Sequence, residues 1–272
     1  NIYATSAWLS IKPLSFYKWQ LYIDLNAAAS SKQELPKSEF DLREVFLETS
    51  LGVIDFKIGR QIIVWGRADK INPTDSLSVK DYTKLVLNDE DQRTGIGTIQ
   101  TVINFENTRF YLISQPEWRE PKYSVDSSSN SIKPQSLNPE GASKQFALKL
   151  DYLGSNLDYS ISYFSGLDRI PDLSVISFND GLLILGLNYF MTKIYGFDCA
   201  FNLGTVALRT EVAYQRTLDE TGFDPLIKNN FYTAVFGGDY NIRENLNLNI
   251  QIIYKKIENW QDSELISDPL SN

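Results

Sequence analysis

The amino-acid sequence predicts an all-β fold, a transmembrane antiparallel up-and-down β-barrel, on three observations. Apolar and polar residues alternate with a period of two in segments of about ten residues, the length that a tilted strand needs to cross a membrane. The apolar side of these segments often ends in Tyr or Trp, as in the aromatic girdles of membrane barrels. Short and long connections between the segments also follow each other in strict order. A soluble β-sandwich shares the alternation, but it has no reason to show the other two features.

The clearest alternating segment covers residues 17–26. One face carries only large apolar or aromatic side chains, and the other carries Lys18, Asp24 and further polar residues. Comparable segments recur near 146–152, 157–163 and 246–255. Each therefore predicts a strand with one face toward lipid and one toward a wet interior.

Twelve strands follow from this pattern along the chain. Their predicted ranges are 3–10, 15–28, 38–49, 53–65, 95–105, 108–115, 144–153, 157–165, 191–202, 205–215, 230–241 and 246–257. The third strand does not alternate cleanly, and a β-bulge near Arg43 and Glu44 would restore its phase.

The connections give the direction of the strands. The short ones lie near 51–52, 106–107, 154–155, 203–204 and 241–245, and the long polar ones span about 28–37, 66–94, 116–143, 166–190 and 216–229. Outer-membrane barrels place short turns in the periplasm and long loops outside. The first predicted strand then descends and the last one rises. Because such barrels start and end in the periplasm, we expect a single barrel domain over residues 1–272, about fourteen strands in the complete barrel, and a longer chain around this one.

The composition excludes several classes of function. The formal charge is −8 and the basic residues are dispersed, so the chain lacks the basic patch that nucleic acid requires. It contains one cysteine and no histidine, which removes the common catalytic triads and the usual ligands of zinc. The acidic run Asp89, Glu90 and Asp91 matches no calcium loop. We therefore expect no enzyme activity, no metal site and no cofactor.

The most distinctive stretch is residues 59–75, Gly-Arg-Gln-Ile-Ile-Val-Trp-Gly-Arg-Ala-Asp-Lys-Ile-Asn-Pro-Thr-Asp, followed by the pair Asp81 and Tyr82. It resembles a family of largely uncharacterised porin-like outer-membrane barrel proteins, in which a Trp-Gly strand end runs into an Asn-Pro-Thr-Asp loop. The segment 209–214, Arg-Thr-Glu-Val-Ala-Tyr, is similar to strands of that family. The resemblance implies a barrel and transport of small or hydrophobic molecules, with protein partners in the cell envelope.

Two arrangements are open for the loop after Trp65. Thr74 or Asp75 can cap a short helix over residues 76–87, and the loop can fold into the lumen as a constriction. The alternative, which the sequence favours slightly, is an outer loop held on the rim by its own salt bridges. The charged residues that would set a constriction are Arg67, Asp69, Lys70, Asp75 and Asp81.

Inward positions of the predicted strands would line the pore. These candidates are Lys18, Asp24, Asp55, Lys57, Lys149, Asp151, Asp158, Arg209, Glu211 and Lys255. Their signs are mixed, so neighbours can pair across strands and leave a weak net field. A ring of one sign, as strong anion selectivity would need, is not predicted.

Three functions remain open on this evidence. The first is a passive porin-like channel in a bacterial outer membrane, in contact with lipid and open to small solutes or hydrophobic molecules. The second is a plugged outer-membrane barrel that acts as a receptor or as a subunit of an envelope assembly. The third is a secreted soluble all-β carbohydrate-binding protein, in which exposed aromatic residues stack on sugars.

Overall fold

In the computed structural model, residues 3–32, 35–69, 71–84, 89–123, 132–136, 141–179, 182–224, 226–243 and 245–260 are described. The strands are β1 (Tyr3–Phe16), β2 (Trp19–Lys32), β3 (Leu35–Leu51), β4 (Ile54–Gln61), β5 (Val79–Lys80), β6 (Arg93–Thr94), β7 (Ile96–Phe105), β8 (Thr108–Gln115), β9 (Ile132–Ser136), β10 (Gln145–Leu153), β11 (Leu157–Leu167), β12 (Asp172–Asn179), β13 (Leu182–Asn188), β14 (Met191–Leu203), β15 (Val206–Arg216), β16 (Phe231–Arg243) and β17 (Leu246–Ile257). A 3-10 helix covers Asp89–Gln92. Among the described residues, no helix has the length and apolar character that a membrane crossing needs.

Twelve of these strands form the barrel wall. Their order is β1-β2-β3-β4-β7-β8-β10-β11-β14-β15-β16-β17, and each is antiparallel to its neighbours along the chain. The wall is therefore an up-and-down meander, as the sequence predicts, and each predicted strand corresponds to one of the twelve. The predicted bulge is confirmed as well, because Asp24 pairs with Glu44 while Leu25 pairs with Leu42, which leaves Arg43 as the extra residue.

Three elements differ from the prediction. The first turn lies at Tyr17 and Lys18, where Tyr17 has a φ of 55°, so the first strand is longer than expected. The predicted long loop over 28–37 is wrong, because β2 and β3 continue their pairing as far as Lys32 and Leu35. The long polar connection predicted over 166–190 contains two strands, since β12 and β13 pair there and β13 also pairs in parallel with β9; the apolar run at 181–190 predicts a buried strand, and β13 lies within it.

The two faces of the wall have opposite character. Ile161, Leu208 and Ile250 expose 58%, 49% and 58% of their surface, and their sequence neighbours on β11 and β15 point to the interior. Exposed aliphatic side chains at this density fit a lipid environment and not the dry interior of a soluble sandwich. The soluble carbohydrate-binding interpretation is therefore set aside.

Tyrosine side chains on the outer face mark the edge of this apolar band. Tyr163, Tyr195, Tyr214 and Tyr232 lie at paired positions of β11, β14, β15 and β16, with ring centroids 5.2, 6.3 and 4.4 Å apart in that order. Tyr240 lies eight residues from Tyr232 on β16. At ~3.4 Å per residue and a tilt of ~40°, that separation spans roughly 20 Å along the barrel axis, close to the height of a lipid-facing band.

Residues 62–69 and 71–84, which we call the inward segment, fold into the space that the wall encloses. Trp65 and Leu77 of this segment pack in one buried cluster with Ile113, Ala147, Phe164, Ile194 and Ala213, which project from β8, β10, β11, β14 and β15. The core of the molecule is thus formed between this segment and one side of the wall.

The helix predicted over 76–87 is absent from the described residues 76–84, where β5 pairs with β6 instead. The backbone oxygens of Ser76 and Leu77 accept hydrogen bonds from Arg169 and Gln115, so they are not free to begin a helix. Residues 85–88 lie outside the described part of the chain.

Candidate functional site: the inward segment and the lumen

The inward segment leaves the wall at the end of β4. The Gln61 side-chain amide donates to the Thr98 carbonyl oxygen at 3.1 Å, and the Ile62 amide donates to Glu44 at 2.7 Å. Trp65 is 4% exposed within the core cluster. Buried side chains at both ends of this stretch therefore turn the chain away from the sheet and into the lumen.

Glu211 of β15 holds the segment through four hydrogen bonds. Its carboxylate accepts from the amides of Arg67 (3.1 Å), Ala68 (3.2 Å) and Thr74 (2.7 Å), and from the Thr74 hydroxyl (2.8 Å). The Glu211 side chain is fully buried. Backbone amides that point at a buried carboxylate stabilise its charge and fix the path of the chain around it.

Gly66 allows this close approach. Its φ is +99°, and a Cβ built on it would lie 2.5 Å from one Glu211 oxygen and 2.6 Å from the other. A side chain at this position would therefore clash with the carboxylate and strain the backbone. The Trp-Gly pair thus has a physical basis, since the indole fills the core and the glycine lets the next residues reach the wall.

Arg67 points to a second set of wall carboxylates. Its guanidinium pairs with Asp151 of β10 at 2.5 Å and with Asp198 of β14. Lys149 lies 3.9 Å from Asp151, and its ammonium is 5.8 Å from the centroid of the Trp65 ring. These charges are mostly buried, so they join the segment to the wall rather than facing open water.

Asp69 extends the same attachment to β15 and β17. Its carboxylate accepts from Arg209 at 2.9 Å and from Asn249 at 3.1 Å, and its backbone oxygen accepts from Gln251 at 2.7 Å. Arg209 also pairs with Asp239 of β16. The segment is therefore bonded to the wall from β8 to β17.

The far end of the segment is fixed by arginines. Arg93 binds the Asp75 carboxylate and the Ser78 hydroxyl, the latter at 2.5 Å. Arg169, in the connection after β11, donates to the Ser76 carbonyl oxygen at 3.0 Å and to the Gln115 side chain at 2.9 Å. Both guanidinium groups thus bind residues of the turn at 75–78 and stabilise its conformation.

A lower cavity of about 1140 Å³ opens on the side of the short turns. It is lined from β2, β3, β4, β7 and the turn end of β8, whereas Glu211 and Arg67 bind the inward segment to β10, β14 and β15. Its charged lining residues are Lys18, Glu48, Asp55, Lys57 and Arg109. Lys57 pairs with Glu48 at 3.0 Å, and Asp55 accepts from Ser50 at 2.6 Å and from Asn104 at 2.7 Å. This half of the lumen is therefore lined mainly by polar and charged side chains.

An upper cavity of about 280 Å³ lies on the other side of the inward segment, beneath the long connections. A buried ion cluster stands next to it, in which the Lys228 ammonium lies 2.9 Å from Asp168 and 3.2 Å from Asp172. Burial raises the pKa of Asp172 to about 7, although Lys228 beside it acts in the opposite direction. This cluster ties the connection before β16 to the β12-β13 hairpin.

The structure distributes the predicted pore-lining residues over several environments. Lys18, Asp55 and Lys57 line the lower cavity and Lys255 lines the upper one. Three others are buried against the inward segment, namely Lys149, Asp151 and Glu211, and Arg209 is bonded to Asp69. Asp24 is buried on β2. Asp158 lines neither cavity, because it accepts a hydrogen bond from the Gly154 amide at 2.9 Å and thereby fixes a turn.

The predicted constriction residues also separate. Arg67, Asp69 and Asp75 lie inside the barrel, so the rim arrangement that the sequence slightly favours is wrong. Asp81 is 1% exposed and binds the Thr83 amide and Lys122, which places it at the outer end of the segment. Lys70 lies outside the described residues.

Sequence reasoning missed three charged residues of the site. Asp198 lies between Gly196 and Ala200 on the inner face of β14. Because these neighbours are small and uncharged, the sequence does not show that this face of the strand is polar. Arg93 and Arg169 belong to connections, where no periodicity indicates which side chain turns inward. Their partners lie 18 and 93 residues away along the chain, beyond the reach of local patterns.

Comparison with known proteins yields no matching family model and no matching curated protein. Solved structures of outer membrane proteins share the fold, including the following two. In-vitro folded OmpT, an outer membrane protein of Vibrio cholerae, aligns over 93% of this chain and 73% of its own with a TM-score of 0.52 and 11% identity. OmpF of Salmonella typhi in complex with daunomycin aligns over 93% of this chain and 72% of its own, with a TM-score of 0.50 and 10% identity. At this identity the likeness concerns the fold.

The chain therefore has the fold of the outer-membrane β-barrels. The apolar outer face, the tyrosine row and the polar lumen agree with that class of protein. The bacterial outer membrane is the location that this fold and this surface require.

Proposed function

We propose that this barrel is a passive channel for small solutes or hydrophobic molecules, narrowed by the inward segment. One observation carries the proposal: the segment is bonded to one side of the wall through Glu211 and Arg67, while the opposite side keeps a polar cavity of about 1140 Å³. A loop that folds into a barrel and leaves a wet space beside it is the arrangement of a constriction.

The charged residues that line the lower cavity predict an ion selectivity that can be tested. Lys18, Lys57 and Arg109 stand against Glu48 and Asp55, and Glu48 is already paired with Lys57. Arg109 is an exposed residue of β8 in this cavity. A solute that passes along this side of the wall meets a weakly positive surface, so small anions should pass somewhat more easily than cations.

The test is single-channel recording of the refolded protein in planar lipid bilayers. We expect stable current steps, and we expect Arg109→Glu to shift the reversal potential in a KCl gradient toward cation preference. Lys256→Glu makes the same charge change at an exposed position of β17 outside both cavities, and it should leave the reversal potential in place. Preparations that insert into the bilayer and give no steps would overturn the channel.

A plugged receptor barrel is the second candidate. It is favoured by the dense bonding of the inward segment, which reaches from Gln115 on β8 to Gln251 on β17. In that case the barrel would insert without current steps, and loosening the segment would create them. The same recordings therefore separate the two functions.

Within this proposal the chain is not an enzyme. Lys149 and Asp151, which could serve acid-base chemistry, are engaged with Arg67 and Trp65 inside the contact between segment and wall. We also propose kinship with the porin-like family that the Trp-Gly and Asn-Pro-Thr-Asp motif resembles, and protein partners in the envelope. Purification from outer membranes with a mild detergent would reveal such partners.

A further inference from the structure

The outward face of the wall carries basic residues at its outer end. Lys193 on β14 and Lys256 on β17 are exposed, and Arg216 at the end of β15 exposes 38% of its side chain. All three lie on the side of the long connections, because β14 begins there and β15 and β17 end there. The chain as a whole has a formal charge of −8, so this basic row is a local feature of the surface.

The residues next to the basic row show that its side chains point away from the lumen. Ile194 belongs to the buried core cluster and Gln215 is buried as well. Because side chains alternate between the two faces of a strand, Lys193 and Arg216 beside them face the surroundings of the barrel. The same alternation places Lys256 outward, since its neighbour on β17 lines the upper cavity.

The height of the basic row along the barrel is set by the tyrosine row on the same face. Lys193 and Arg216 each lie two residues beyond a tyrosine of that row, toward the long connections, and Lys256 is the strand partner of Tyr232. Tyrosine rings on the outside of a membrane barrel mark the interface between acyl chains and headgroups. The basic side chains therefore reach the level at which lipid phosphates lie.

Lys193 and Arg216 form a pair of like charges, because they lie directly opposite each other on neighbouring strands. Side chains at such positions are roughly 5 Å apart, so two cations there repel each other. Glu220 pairs with Arg216, but both side chains are exposed and water screens such a pair. A second carboxylate, Glu258, accepts a hydrogen bond from the Tyr214 hydroxyl at 3.3 Å. An anion that bridges the two cations would remove their repulsion.

The length of the basic row suits a headgroup with more than one anionic group. Lys256 lies two strands from Arg216 in the sheet, a lateral distance of roughly 10 Å at the usual spacing of neighbouring strands. Lys144, directly before β10, is also exposed and lies two strands from Lys193 in the other direction. A single phosphate would contact only part of this surface, whereas a lipid with two phosphates could contact more of it.

We propose that Lys193, Arg216 and Lys256 bind the phosphate groups of lipids in the outer leaflet of the membrane. The Lys193 and Arg216 side chains would hold one phosphate through charge-assisted hydrogen bonds, and Lys256 would attract a second anionic group of the same headgroup. The tyrosine row would lie against the upper part of the acyl chains. This lipid contact goes beyond the channel function and does not depend on it, because these residues lie outside the lumen.

The test uses the refolded protein in detergent micelles and counts bound lipid by native mass spectrometry. The probe is lipid A with two phosphates, and the matched lipid is the same molecule after removal of both phosphates. We expect lipid A to bind at least tenfold more tightly than the matched lipid, and its binding to weaken as the salt concentration rises. The double variant Lys193→Gln with Arg216→Gln should weaken lipid A binding at least tenfold, whereas Lys193→Arg with Arg216→Lys keeps both charges and should retain it.

The matched control is Lys18→Gln with Arg109→Gln, which removes one lysine and one arginine from exposed positions in the lower cavity, inside the wall. It should bind lipid A like the unaltered chain. Equal affinity for the two lipids, or equal losses in the two glutamine variants, would overturn the proposal. An equally large loss in the variant that keeps both charges would also overturn it, because the effect would then come from local packing and not from charge.

Discussion

Glu211→Gln is the sharpest test of how the inward segment is held. The carboxylate accepts four hydrogen bonds, from the amides of Arg67, Ala68 and Thr74 and from the Thr74 hydroxyl. A glutamine amide has one oxygen with two lone pairs, so at least two donors lose their acceptor and its NH₂ group faces them instead. Each buried donor without an acceptor costs about 1–3 kcal/mol, which gives about 2–6 kcal/mol for the pair.

Hydrogen exchange measured by mass spectrometry reads this loss directly. Even ~2 kcal/mol raises the open fraction of the segment about 30-fold, so the amides of residues 67–74 should exchange at least that much faster while the wall strands stay protected. In bilayers the same variant should show noisier current with larger open steps. Glu48→Gln is the control, because Glu48 also faces the lumen but, within the described ranges, pairs with Lys57 and not with the inward segment. Unchanged exchange over 67–74 in Glu211→Gln would refute the reasoning.

Three further outcomes are expected. Gly66→Ala places a methyl group against the Glu211 carboxylate at a φ of +99°, so it should destabilise the segment by about 2 kcal/mol or more and speed exchange over the same residues. Leu208→Arg on the exposed outer face should lower the free energy of unfolding in vesicles by about 2–4 kcal/mol, measured by urea titration. An unfolding midpoint equal to that of the unaltered protein would contradict a lipid-facing position. Since the pKa of Asp172 is raised to about 7, the folded protein keeps a proton there that the unfolded chain releases near pH 4. Stability therefore falls as pH rises from about 4 to 7, and Asp172→Asn should flatten this slope in proteolysis of the outer connections, whereas an unchanged slope would assign it to another group.

The strands were predictable because apolar and polar residues alternate every two positions in a half-buried strand, and this pattern is contained within each segment. The bulge at Arg43 followed from a break in that phase. The inward segment was not predictable in the same way, because Glu211 lies 137 residues beyond Thr74 and no local rule connects them. The sequence indicated a special loop, yet rim and lumen differ only in distant partners. Leu35 shows the opposite error, since polar residues around it suggested a loop where backbone pairing extends the sheet.

The same limit applies to the residues of the site, whose orientation was predictable from the sequence but whose partners were not. The alternation correctly predicts that the side chains of Lys149, Asp151 and Glu211 point inward. It does not tell whether an inward side chain meets water or another part of the protein. Arg67 decides that question for Asp151, because its guanidinium group lies between Asp151 on β10 and Asp198 on β14. Charge counts along the strands therefore overestimate the charge that a passing solute would meet.

The attachment of the inward segment to β8, β10, β11, β14, β15 and β17 makes the interior lopsided. In the proposed channel, a solute would travel off the axis, along the flank formed by β2, β3, β4, β7 and the turn end of β8. Substitutions on that flank should tune traffic with little effect on folding, whereas those on the opposite flank should damage folding first. The two flanks are thus free to evolve under separate pressures, one set by the cargo and the other by the architecture.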